Sequence, residues 1–172
     1  MQTAKWHIYT GDGKGKTTAA IGLAARAIGQ GLQVVFFQFL KHGGGGEHNA
    51  LARLGVLIDS GSSVGGPPWN EQYQQAWAHH SREQWRKIVA LPLEQTDLIV
   101  LDEILIACRK EHLDVQEISH WASQALSAGC ELVMTGRNAP SKLLAQADLV
   151  TEMKEIKHYL DQGVAARPGI EY

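Results

Sequence analysis

Cysteine is scarce. Cys108 and Cys130 are the two in the chain, and neither stands in a Cys-x-x-Cys pair. That argues against a structural zinc site, which needs closely spaced thiolates, and both thiols are read as reduced and structural. Long hydrophobic runs are missing too: none approaches the ~20 residues of a membrane span. The first residues, Met1-Gln-Thr-Ala-Lys-Trp6, lack the basic-then-apolar order of an export leader, so the expectation is a cytoplasmic protein with no membrane partner. Charge of one sign does not accumulate either. Lys and Arg number 16 against 18 Asp and Glu, scattered along the chain, and the net charge is −2. Nothing reads as a nucleic-acid face. With no internal repeat and no linker, 172 residues suit one domain covering 1–172.

What the chain does have is alternation. Trp6–Thr10, Leu32–Leu40, Val56–Ile58, Leu98–Leu101, Glu131–Thr135 and Leu149–Met153 are short, apolar and β-prone. Between them, helical patterns fit Thr17–Ile28, Glu47–Leu54, Asn70–Leu91, Val115–Ser127 and Ser141–Ala147. Ile21, Ala24, Ala25 and Ile28 share the predicted inner face of the first helix, and Tyr73, Trp77, Ile88 and Leu91 that of the third. Strands alternating with helices predict an α/β fold, a mostly parallel sheet covered by helices on both faces. Gly43–Gly46 and Ser60–Pro68 are turn-rich loops.

The strongest local signal is Thr10-Gly-Asp-Gly-Lys-Gly-Lys-Thr-Thr18, which follows a strand and opens a helix. Glycines let successive backbone N–H groups turn inward, and a helix N-terminus adds unpaired amides and a positive dipole end. Gly11, Asp12, Gly13, Lys14, Gly15, Lys16, Thr17 and Thr18 are therefore candidates for binding the phosphates of ATP. Lys16 supplies a mobile cation, expected to lie exposed, and the Thr17 hydroxyl can complete a Mg²⁺ shell. The loop is one residue tighter than G-x-x-x-x-G-K-[ST], because Thr10 stands where that pattern has its first glycine. Asp102 and Glu103, at the end of a buried strand, are candidates for the same metal, and the sequence leaves open which of them faces it. The combination places the chain in the P-loop NTPase (RecA-like) class.

Beyond the loop, Ala24-Ala-Arg-Ala-Ile-Gly-Gln-Gly31, Gln38-Phe-Leu-Lys41, Gly46-Glu47 with Asn49, Val100-Leu-Asp-Glu103 and Thr135-Gly-Arg137 join a tail of Lys157-His158, Asp161-Gln-Gly-Val164 and Gly169-Ile-Glu-Tyr172. Together they resemble the P-loop ATP:corrinoid adenosyltransferases over nearly the whole chain. The resemblance implies transfer of the 5′-deoxyadenosyl group of ATP to the Co(I) of a corrinoid, with triphosphate leaving. It implies that the loop holds the triphosphate in reverse sense, that Lys16, Thr17 and Glu103 carry the catalysis, and that Thr17, Asp102 and Glu103 surround Mg²⁺. It further implies Arg137 on the leaving charge, Trp69 against the corrinoid, a homodimer, and a reduced flavoprotein as electron donor. Members of the family often carry an N-terminal extension that covers the partner's site; about five residues precede the first strand here.

None of the eight histidines is expected to ligate cobalt, since a strong axial nitrogen opposes formation of Co(I). His42, His48, His79 and His80 are read as solvated, and Tyr73, Trp77 and Trp85 as core. Two other functions remain open on the residues alone: a nucleoside or nucleotide kinase, and a non-catalytic ATP-dependent regulatory protein.

Overall fold

The computed structural model describes residues 4–43, 45–60 and 63–171. The first three residues, Gly44 of the first glycine loop, Gly61 and Ser62 of the second, and Tyr172 of the tail motif lie outside the described residues. Six strands form one sheet: β1 (Trp6–Thr10), β2 (Val34–Gln38), β3 (Leu57–Asp59), β4 (Leu98–Asp102), β5 (Glu131–Thr135) and β6 (Leu149–Glu152). Their order is β3-β2-β4-β5-β1-β6, and every pairing is parallel. Helices α1 (Lys16–Gly29), α2 (Gly46–Arg53), α3 (Gln74–Val89), α4 (Ile104–Arg109), α5 (Val115–Ser127) and α6 (Ser141–Gln146) fill the connections.

Side chains alternate across a strand, so the central strands feed two cores. Val35 and Phe37, Ile99 and Leu101, and Leu132 and Met134 pack with Trp77, Trp85 and Trp121 on one face. Val34 and Phe36, Leu98 and Val100, and Val133 pack with Ala20, Ala24 and Ala27 of α1 on the other. This double burial is why the strands read as unbroken apolar runs. It also orients the site. Asp102 continues the series Leu98, Val100, so its side chain leaves the sheet on the face that α1 covers. Because β1 sits beside β5 and α1 carries the chain past β5 and β4 to β2, the exits of β1, β5 and β4 lie together, where open parallel sheets bind ligands.

Several expectations change in detail. The inner face of α1 is Ala20, Ala24 and Ala27, while Ala25 is exposed. The small residues let α1 approach the sheet closely, which a stripe of isoleucines would prevent. The third helix begins later than Asn70: a 3₁₀ turn, Glu71–Tyr73, capped by the Asn70 side chain on the Gln72 amide (3.0 Å), precedes α3. Helix α4 has no counterpart in the sequence reading, because its six apolar-rich residues continue the run of β4. Trp77 and Trp85 are core, as expected, whereas Tyr73, in the 3₁₀ turn, is half-buried and packs against the core from its edge. His42 and His79 are exposed, but His48 and His80 are half-buried: His48 pairs with the Ser60 hydroxyl, and His80 lies edge-on to Trp77 at 5.9 Å.

Both cysteines are free and buried. Burial pushes the Cys108 thiol up to about 12 and raises that of Cys130. An aromatic disulfide reagent is therefore expected to titrate no thiol in the folded protein and two after denaturation; rapid reaction of either under native conditions would contradict this packing.

Candidate active site

Strand β1 delivers the chain to a loop whose glycines have separate reasons to be glycine. Gly11 and Gly15 take φ of 94° and 122°, which disfavour any side chain. Gly13 faces a close approach instead: a Cβ there would lie 2.8 Å from the carbonyl oxygen of Met153, and one on Gly11 2.5 Å from the same atom. The stretch leaving β6 thus braces the loop from outside. The Gly13 amide donates to Met153 O (2.7 Å), and the Met153 amide donates to Thr10 O (2.8 Å). Gly15 then caps α1 without a side-chain acceptor, so amides of the first turn stay open to an anion.

Lys16 is not exposed, contrary to expectation. It is 7% accessible, and its ammonium bridges the carbonyls of Gly11 (2.6 Å) and Gly13 (2.7 Å). The tight loop folds back over the start of α1, and the lysine closes the ring. Burial holds its pKa below the ordinary lysine value, against the opposing pull of Glu103.

The two carboxylates of β4 have different environments. Asp102 is fully buried and saturated. Its Oδ1 accepts from the Thr17 (2.9 Å) and Thr135 (2.6 Å) hydroxyls, and its Oδ2 from the Gln38 amide (3.0 Å) and the Lys41 ammonium (3.0 Å). Glu103 sits in the left-handed region at φ 63°, its amide donating to the Thr135 hydroxyl (3.0 Å). That backbone turn aims Glu103 into the cleft, and its Oε2 is buried with no hydrogen-bond partner. Burial, with Asp102 adjacent, raises its pKa. A non-glycine residue in this conformation, ending in an unpaired buried oxygen, is the kind of strain that clusters at functional sites.

The loop opens on a cavity of about 670 Å³. Asp12 through Thr18 line it, with Lys41, Glu47, Glu103 and Arg137, and residues of the C-terminal tail form a further wall. Of the predicted site residues, Gly11 and Asp102 are not among the cavity's walls: the Gly11 carbonyl accepts from Lys16, and Asp102 accepts from the Thr17 hydroxyl. The Lys14 ammonium points to the tail. Trp69 is 78% exposed and not among the cavity's walls. Lys41, Gln38 and Thr135 stand in motifs of the sequence but carry no role that it makes readable. The signal of Gln38 and Thr135 is positional: three neighbouring strands with apolar interiors each end in a polar residue, Gln38, Asp102 and Thr135, and all three are 0% accessible.

The donor set suits Mg²⁺. Hard oxygens of Thr17 and Glu103 face the cleft, and the Lys41 ammonium already shows that the Asp102–Thr17 pair attracts a cation (3.0 Å to Asp102, 3.4 Å to Thr17). Among the described residues no group of three or more His, Cys, Asp or Glu is placed to hold a metal. A cation here therefore needs phosphate oxygens for much of its shell, as Mg²⁺ usually does.

Comparison with known proteins adds to this geometry. A family model described as ATP:corrinoid adenosyltransferase BtuR/CobO/CobP matches residues 2–172. The chain is 36% identical over 169 residues to the corrinoid adenosyltransferase CobA of Salmonella typhimurium, covering 96% of this chain and 84% of the relative. It is 34% identical over 170 residues to the corrinoid adenosyltransferase of Escherichia coli K12, with the same coverages. To that of Pseudomonas aeruginosa it is 33% identical over 168 residues, covering 96% of this chain and 82% of the relative.

Proposed function

The chain belongs to the ATP:corrinoid adenosyltransferase family, and on that premise we propose that the cleft beside β1 and β4 moves the 5′-deoxyadenosyl group of ATP to the Co(I) of a corrinoid. The observation that carries the reading is a cavity that the Asp12–Thr18 loop, the buried Lys16 and Glu103, with its unpaired Oε2, bound together. The Co(I) electron pair forms the cobalt–carbon bond at C5′, the C5′–oxygen bond breaks, and its pair leaves on triphosphate. The nucleophile carries no proton, so no general base is needed. The protein's tasks are to position the partners and to stabilise the leaving charge.

The residues divide those tasks. Open amides of the loop and of the first turn of α1, including those of Lys14, Thr17 and Thr18, cradle the phosphates, and Lys16 exchanges its carbonyl partners for phosphate oxygens. Arg137, exposed at the cavity's edge, meets the same charge. Thr17 and Glu103 hold Mg²⁺, which neutralises phosphate charge when bound, while Asp102, saturated by four donor groups, fixes the Thr17 hydroxyl. Trp69 presents its exposed ring to the corrinoid outside the nucleotide cavity. The active species is a homodimer, and a reduced flavoprotein supplies the electrons that bring the corrinoid cobalt to Co(I). A cytoplasmic setting suits its free thiols, and among the described residues no helix is long and apolar enough to cross a membrane.

Product analysis tests the reaction. Mg-ATP and a chemically reduced corrinoid are expected to give an adenosylated corrinoid and intact triphosphate. ADP as the sole product, with the cobalt unmodified, would instead indicate a phosphotransferase or a nucleotide switch.

A further inference from the structure

The segment after Met153 has no core of its own. Among residues 154–171 no side chain is buried, and Ile156, Leu160 and Ile170 are 83%, 63% and 58% accessible. The segment nevertheless supplies a wall of the nucleotide cavity, through Glu155, His158, Gly169, Ile170 and Glu171. Something other than hydrophobic packing has to keep it there.

Among the described residues, the hydrogen bonds that tie this segment to the rest of the chain converge on one ammonium. Lys14 donates to the Tyr159 hydroxyl (2.8 Å), the Ile170 carbonyl (3.1 Å) and a Glu171 carboxylate oxygen (2.7 Å). An ammonium has three donors, and all three are engaged. Arg167 tightens the knot. Its Nη2 lies 3.2 Å from Glu171, its guanidinium stands 5.0 Å from the Tyr159 ring centre, and the Tyr159 hydroxyl also donates to Glu171. Arg167, Lys14 and Tyr159 together hold the Glu171 carboxyl well below the usual carboxylate range.

We propose that Lys14 is a positioning residue, the anchor of a C-terminal strap that completes the nucleotide cavity, and that it is not a side-chain ligand of the phosphates. Glu171 is its counterpart. The inference rests on the reading of this cavity as the ATP site. A strap held by one partly exposed cluster opens locally more readily than the sheet beneath it. Its closure therefore sets how tightly ATP is retained, while the reacting atoms are held by the loop and β4.

The test compares Glu171→Gln, Lys14→Met, the double variant and Lys14→Arg, with hydrogen exchange and steady-state kinetics as readouts. The strap predicts that each single loss raises KM for ATP about tenfold with kcat little changed, as expected for lost uniform binding. The double variant should be no worse than either single, and Lys14→Arg should recover most of the loss. Amide exchange across 156–171 should accelerate in both singles, with β4 and β5 unaffected. If Lys14 instead grips phosphate, Glu171→Gln frees it and lowers KM or leaves it alone, and that outcome overturns the proposal. Should Lys14→Met fail to fold, the sign of the Glu171→Gln effect still decides. A wild-type protein that binds no Mg-ATP would reject the nucleotide reading, whereas exchange in the nucleotide-free protein scores the strap independently.

Discussion

Lys16→Ala is expected to slow adenosyl transfer by about 10²- to 10³-fold, the usual effect of deleting one preorganised donor aimed at developing negative charge. The burial of Lys16 is what makes the effect large. At 7% accessibility its charge is poorly screened, so it acts on phosphate through a lower effective dielectric than an exposed lysine would. The same burial raises the question of the fold, because the ammonium bridges Gly11 O and Gly13 O. Those carbonyls lie beside an open cavity, where water can replace the lost donor, so the cost in stability should be about 1–2 kcal/mol. The two cores contain none of these atoms. Single-turnover rates with a pre-reduced corrinoid, beside a thermal melt, separate the effects. Full turnover in the folded variant would remove Lys16 from the mechanism.

How much of this was legible in the sequence follows from which interactions are local. The loop and α1 were readable because a phosphate cradle is built from consecutive residues, and each glycine reports a backbone need at its own position. The parallel sheet was readable because β2, β4 and β5, buried on both faces, carry unbroken apolar runs. The environment of Asp102 was not readable. Gln38 and Lys41, Thr135, and Thr17 reach it from three separate places in the chain, and only the strand order brings them together. The same holds for the knot at Lys14. Gly169-Ile-Glu171 could be seen as part of a motif, but nothing in a motif says that its carboxylate closes on a lysine of the first loop. The exposure of Lys16 was misjudged for a related reason: a lysine in a loop reads as solvated unless one knows that the loop curls over its own ammonium. Helix α4 was missed because six apolar-rich residues after a buried strand carry no period long enough to separate helix from strand.

Glu103→Gln is expected to reduce turnover about a hundredfold or more while leaving the folded protein more stable in the absence of Mg²⁺. The two halves have one cause. The charged carboxyl is desolvated beside Asp102, and its Oε2 has no donor, so the folded state favours the protonated form and raises the pKa. For a carboxyl raised on folding, the native state binds the proton more tightly, so stability falls as pH climbs from the unfolded value through the folded one. Once the pH passes the raised value the wild type bears that cost in full, and the glutamine variant bears none at any pH. What the wild type keeps in exchange is an oxygen ready for a divalent cation, whose removal forfeits several kcal/mol of charge stabilisation in the transition state. Asp102→Asn should behave in the opposite way. Its carboxylate is fully paired, so neutralising it leaves the partly buried Lys41 without its counter-ion (31% side-chain accessibility) and destabilises the fold. Thermal melts from acid to neutral pH, with and without Mg-ATP, distinguish the two. Stability of the nucleotide-free wild type should decline relative to Glu103→Gln as pH rises above the ordinary glutamate range, and Mg²⁺ added with ATP should restore it in the wild type alone. Equal Mg²⁺-dependent stabilisation of the glutamine variant would show that the cation is held by other oxygens and that the orphaned Glu103 carboxylate serves some other purpose.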